Sequence, residues 1–301
     1  MLRCGLIDYA QLLLLGAVAG LTIFLGLPMA LLPNVSRMKK GFLNALAMGI
    51  LVFLITDVLS HAWDPTKLAA VAGFAGKGPV ADAAIDLLAL FGGLGLGLLG
   101  LALYEQRYLR RIISTKKKLA NSQENNGPGA SNAPAKPDTA PQQHGSELFS
   151  SPHHLATMIA VGIGLHNFSE GLAIGQSFAA GAVALALVLI VGFGAHNATE
   201  GFGIAGPLTG IAKKPEVSFL IKMGIIGGSP TFLGTIVGSV WVSQLTYILF
   251  LSLAGGALIY VTLLMYNTAR RESRNDLLMV GLFIGLLAGF LTDLIVTLGG
   301  A

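Results

Sequence analysis

The sequence predicts an all-α integral membrane protein of eight transmembrane helices. Both termini are expected to be extracytoplasmic, with a long cytoplasmic loop between the third and fourth helices. Three observations predict this. Hydrophobic residues make up 53% of the 301 and charged residues only 11%, against about 25% charged in soluble domains. Eight apolar stretches reach the roughly 20 residues that a helix needs to cross a bilayer. The basic residues then collect in alternate loops, as the positive-inside rule requires.

The first stretch runs over 8–32. Arg3 precedes it and Ala17-Val18-Ala19 resembles a leader cleavage site, but the apolar run continues to Leu32, so a retained helix is expected. The second covers 42–62. The third, 84–106, is rich in glycine from Gly92 to Gly100, and small residues let membrane helices approach closely. From Ser114 to Ser150 the composition turns to Asn, Gln, Ser, Pro and Gly, which predicts a disordered cytoplasmic loop over 114–150. The chain thus reads as one membrane domain, with helices 1–3 in residues 1–113 and helices 4–8 in residues 151–301. His144, His153 and His154, in or beside the loop, read as solvated polar residues.

The fourth and fifth stretches, 154–177 and 181–206, are joined by a short turn near Gly181. The sixth, 217–241, contains Ser229-Pro230 after Gly227-Gly228, and a proline there predicts a kink that frees backbone carbonyls. Lys222 at its inner end can snorkel to the interface. The seventh and eighth cover 245–267 and 276–299, with Asp293 near the outer end.

With the N-terminus outside, sixteen of the nineteen Lys and Arg residues fall on the cytoplasmic side, leaving Arg3, Lys67 and Lys77 outside. Trp63, Trp241 and Tyr247 fall at the predicted outer ends, and Tyr104 and Tyr108 near the inner end of the third helix, where interfacial aromatics are expected. The net charge of +4 is therefore a property of cytoplasmic loops, and nucleic acid is not expected as a partner. The single cysteine, Cys4, forms no internal disulfide and no thiolate cluster. A multi-pass location in the plasma membrane of a bacterium or archaeon fits these features.

Ionisable residues within spans are expensive and point to function. Two six-residue copies stand out: His166-Asn167-Phe168-Ser169-Glu170-Gly171 and His196-Asn197-Ala198-Thr199-Glu200-Gly201. In each, histidine and glutamate are four apart and share a helix face, with the asparagine beside it. Positions 166 and 200 mirror each other about 183, as do 170 and 196, so a turn there brings the two copies to one depth. His166, Asn167, Glu170, His196, Asn197 and Glu200 are thus candidate metal ligands. Imidazole with carboxylate suits zinc, iron, manganese, cobalt or nickel better than magnesium or copper(I). A single His–Glu pair could merely tie two helices together; two copies of one pattern are costly to keep for packing alone. Asp57 and His61, also four apart, form either a relay between that site and the outer surface or an ordinary buried polar couple.

The twin His-Asn-x-x-Glu-Gly motifs, the eight spans and the loop after the third resemble the ZIP family of divalent metal transporters. The resemblance implies that His166, Asn167 and Glu170 are ligands on the fourth helix and His196, Asn197 and Glu200 on the fifth. It implies movement of zinc, iron, manganese or related ions toward the cytoplasm, by one helix bundle sliding against a scaffold that forms a homodimer. Prokaryotic members often carry Glu-Pro in the sixth helix, where this chain has Ser229-Pro230, and some have aspartate at the position of Asn197. Both differences remove negative charge, so one principal metal site is expected.

No cofactor is expected; zinc or another divalent ion, cobalt, nickel and cadmium included, is substrate. A membrane-embedded zinc hydrolase would need a separate general base. The zinc-protease helix motif has a glutamate directly after its first histidine, where this chain has Asn167 and Asn197. A passive metal-selective channel would use the same residues as a transporter.

Overall fold

The computed structural model describes residues 8–32, 36–124, 152–211, 213–272 and 274–298. Cys4 and His144 lie outside the described residues. Among those described, the chain forms eight long helices and no strand. Seven are long and apolar enough to cross a membrane. The remaining one carries the first polar motif at its centre.

Helix α1, Tyr9–Leu21, starts at a capping box in which Asp8 accepts from the Gln11 amide at 2.8 Å and Gln11 accepts from the Asp8 amide at 2.9 Å. It gives way to two 3-10 turns, Thr22–Leu25 and Leu27–Leu31, the second holding Pro28. Thr22 Oγ1 donates to the Ala19 carbonyl at 2.7 Å where the helix changes type. Such local hydroxyl-to-carbonyl bonds compete with the regular ladder.

Helix α2, Arg37–Phe74, is 38 residues long and passes through Pro65. Helix α3, Val80–Glu124, has 45 residues. Both outrun the expected 42–62 and 84–106, because hydropathy marks only the part of a helix that lies in lipid. The loop expected from Ser114 starts later: α3 continues to Glu124, through a stretch without Gly or Pro in which Lys116 to Ala120, Gln123 and Glu124 are good helix formers. The rest of that loop lies outside the described residues.

Helices α4, Pro152–Ala179, and α5, Val183–Ala205, meet at Gly181, whose φ of 79° is one that glycine adopts without strain. The turn thus falls where the mirror relation of the two motifs requires it. After α5 come α6, Val217–Val240, α7, Gln244–Glu272, and α8, Asn275–Leu298. Helix α6 stays helical through Pro230.

The helices sort into two bundles: α1, α4, α5 and α6 pack together, as do α2, α3, α7 and α8. Within each bundle, glycines set the closest approaches. A methyl group at Gly97 of α3 would overlap the Leu253 carbonyl of α7, and one at Gly285 of α8 would overlap the Leu46 carbonyl of α2. Gly234 of α6 meets the Phe168 carbonyl of α4 in the same way. At one point between the bundles the approach is looser and apolar. A methyl group at Gly162 of α4 would sit at an ordinary 3.6 Å from Leu258 and 3.8 Å from Val261 of α7.

The glycine run of α3 divides between two environments. Gly93 and Gly97 pack on α7, whereas Gly92, Gly95 and Gly100 face open space. On that outer face Leu88, Phe91, Leu96 and Leu99 are exposed. Trp63 and Trp241 are also exposed.

Candidate metal centre

The repeated motif places its residues on the facing sides of α4 and α5. His166 Nε2 lies 3.3 Å from Glu170 Oε1 and 3.7 Å from Glu200 Oε1, and His196 Nε2 lies 4.0 Å from that same Glu200 oxygen. Ligand atoms of His166, Glu170 and His196 all fall within 4.8 Å of one another. The imidazole centroids are 6.0 Å apart. All four side chains are buried, Glu200 completely.

Each asparagine spends its amino group on a neighbouring backbone. Asn167 Nδ2 donates to the Gly227 carbonyl of α6 at 2.9 Å, and Asn197 Nδ2 donates to the Ala19 carbonyl of α1 at 3.0 Å. The closing glycine of each motif packs one turn further along the same partner. A methyl group at Gly171 would overlap the Thr231 carbonyl, and one at Gly201 the Ile23 carbonyl. The two copies therefore share one construction: asparagine grips carbonyl n of a neighbour, and glycine sits against carbonyl n+4. Each neighbour has a break in its hydrogen-bond ladder close by, α6 at Pro230, which has no amide to donate, and α1 at its change to 3-10 geometry.

These grips leave acceptors without donors. Asn167 Oδ1, Asn197 Oδ1, Glu170 Oε2, both Glu200 oxygens and Nε2 of both imidazoles are buried with no hydrogen-bond partner. Buried polar atoms in folded proteins are overwhelmingly satisfied. A concentration of lone pairs around two carboxylates is what a divalent cation satisfies. The donor set, imidazole plus carboxylate plus amide oxygen, fits a transition metal.

Asn167→Ala is expected to remove both a potential oxygen ligand and the donor to the Gly227 carbonyl, destabilising the protein by about 1–3 kcal/mol. Asn197→Ala removes the equivalent donor to the Ala19 carbonyl and is expected to cost a similar amount. Thermal melting in detergent, with and without zinc, checks both.

Asp57 and His61 lie on α2, outside this cluster. Asp57 Oδ1 is 3.3 Å from His61 Nδ1, and the His61 side chain is 56% exposed. Phe53, one turn before Asp57, has its ring 5.9 Å from that of His196 and 5.0 Å from that of Phe290 on α8. Positions 53, 57 and 61 thus run along one face of α2 from the cluster to an exposed edge. Phe53 was legible in principle, as the residue four before Asp57. Ser229 does not enter the site: it is exposed, and its hydroxyl donates to the Ile225 carbonyl of its own helix at 2.6 Å.

His153 and His154 correct the sequence reading. They are not solvated loop residues but belong to the first turn of α4. The His153 ring packs edge-on against Phe219 of α6 at 4.9 Å, and His154 Nε2 lies 3.5 Å from Glu105 Oε1 of α3. The preceding polar composition masked a helix start, and Glu105, a carboxylate in the last turn of the third predicted span, was the signal overlooked.

Comparison with the curated proteins finds no match. The family model of the ZIP zinc transporters matches residues 45–297, which include both motifs and every helix from α2 onward in whole or in large part. Members of that family are multi-pass membrane transporters of divalent metal and not enzymes, which removes the hydrolase alternative. The chain belongs to the ZIP zinc transporter family.

Proposed function

We propose that the protein carries a dehydrated divalent transition-metal ion, zinc foremost, into the cytoplasm through one site formed by His166, Glu170, His196 and Glu200. Asn167 and Asn197 act as auxiliary oxygen ligands. The observation that carries this reading is the set of buried, unsatisfied donor atoms on α4 and α5. Iron, manganese, cobalt, nickel and cadmium accept the same donors, and affinity among the first-row ions rises from manganese toward copper. One site is preferred over two because Asn197 and Ser229 supply no carboxylate.

In this reading the α1/α4/α5/α6 bundle moves with the metal against the α2/α3/α7/α8 bundle. Close glycine contacts inside each bundle support rigid units, and the ordinary apolar contact of Gly162 with Leu258 and Val261 between them supports sliding there. Both termini face outward in the plasma membrane of a bacterium or archaeon. Asp57 and His61 act as a relay from the outer surface toward the site. The scaffold forms a homodimer.

Uptake into sealed proteoliposomes of zinc, iron, manganese, cobalt, nickel and cadmium tests the proposal. Saturable entry, lost when His166→Ala is combined with Glu200→Ala, is expected. Fast, weakly saturating flux would instead identify a channel, and zinc binding without entry would defeat the transport reading.

A further inference from the structure

Glu105 of α3 is fully buried. One carboxylate oxygen accepts a hydrogen bond from the Tyr260 hydroxyl of α7. The other lies 3.5 Å from His154 Nε2 of α4. Helices α3 and α7 belong to one bundle and α4 to the other, so the carboxylate is anchored in its own bundle at one oxygen and reaches across the seam with the other.

His154 is twelve residues before His166, about 18 Å along α4 at 1.5 Å per residue. The contact therefore lies well away from the metal centre. Its own side of the seam is firm: His153, the next residue, is packed against Phe219 of α6, which ties the start of α4 into its bundle. Eight residues further along α4 the seam is apolar, where Gly162 faces Leu258 and Val261, and such a surface has no preferred stopping point. A close imidazole–carboxylate contact does, because moving a buried carboxylate away from its polar neighbour into an apolar seam is costly. Fixing register is also the best-attested use of buried ion pairs. A second metal station is the poorer reading, since zinc sites use three or four protein ligands and the described residues bring together one imidazole and one carboxylate here.

We propose that His154, Glu105 and Tyr260 form an interbundle latch that holds this conformation and must open in each transport cycle. The inference rests on the sliding of the two bundles put forward above. His154 and Glu105 are positioning residues that set the conformational equilibrium, and Tyr260 orients the carboxylate. The metal ligands are untouched by it.

The test uses the full chain in liposomes, with Cys4→Ser and spin labels on cysteines replacing Ser218 of α6 and Asn275 of α8. Both positions are exposed and lie in different bundles. Pulsed dipolar spectroscopy then reads the distance between the bundles, with and without zinc. In the unmutated latch two distance populations are expected. Glu105→Gln and His154→Gln should each shift the population ratio at least threefold, and together no further than either alone. Zinc affinity and stoichiometry by equilibrium dialysis should stay within twofold. Because His154 is partly exposed, its variant remains informative even where Glu105→Gln impairs folding.

Two distances whose ratio neither variant alters would overturn the latch and leave sliding intact, as would independent, additive shifts. Loss of one bound zinc in either variant would also overturn it, in favour of a metal station. A single distance with and without zinc in the parent protein would defeat sliding itself, and the latch with it.

Discussion

Glu200→Ala is expected to reduce metal uptake at least about a hundredfold, to the level of empty liposomes. Glu200 is fully buried, and one of its oxygens faces both imidazoles, at 3.7 and 4.0 Å. It is the residue through which the two motif copies converge on one point. Removing an outer partner of a metal ligand costs about 10–100-fold in affinity or activity, and removing a ligand from the centre of the set must cost more. Glu200→Gln keeps the shape and discards the charge. It should fail nearly as completely, because a divalent cation in a low-dielectric interior needs carboxylate to neutralise it. Radiometal uptake at matched protein amounts, with circular dichroism to establish that both variants are helical, reads the effect. Retention of more than half the uptake in Glu200→Gln would contradict this account of the charge.

Gly201→Leu is expected to abolish uptake without touching a ligand. The motif glycine lies against the Ile23 carbonyl, where even a methyl group overlaps backbone, and backbone cannot step aside as a flexible side chain does. Helix α5 must then part from the 3-10 turns after α1, carrying Glu200 and Asn197 with it. Overpacking of a tight interior costs typically about 1–3 kcal/mol even for modest insertions, and leucine adds four carbons. Gly171→Leu should behave alike against the Thr231 carbonyl of α6. Gly95→Leu is the control: nothing lies within 4 Å of a methyl group there, and uptake should persist. Uptake and detergent melting temperature, measured on all three, separate this explanation from a general intolerance of leucine in glycine-rich helices.

The convergence of the two motif copies was legible in the sequence. Two copies of one motif, symmetric about a glycine turn, are enough to predict that His166 and Glu200 meet. The arithmetic works because helical spacing and antiparallel packing are rigid constraints. Helix ends were less legible. The polar ends of α2 and α3 extend past the apolar cores that hydropathy detects, since nothing in water requires a helix to be apolar.

What each asparagine does was also beyond the sequence. Asn167 and Asn197 read as spare ligands, while their amino groups in fact grip Gly227 and Ala19, 60 and 178 residues away. Contacts of that separation depend on which helices become neighbours, and local pattern does not encode it. His154 and Glu105 show the same limit. Each sits at the fringe of a span, and only the packing of α3 and α4 on α7 brings a residue from beside the loop onto a buried carboxylate.

The most direct test of the metal centre is X-ray absorption spectroscopy on the purified protein carrying one equivalent of zinc. The account predicts a first shell of nitrogen and oxygen at about 2.0–2.2 Å, with multiple scattering from two imidazoles. It predicts the loss of one imidazole in His166→Ala and of one in His196→Ala. A shell without imidazole scattering, or a spectrum unchanged by both substitutions, would contradict the assignment of the twin motifs as a single metal site.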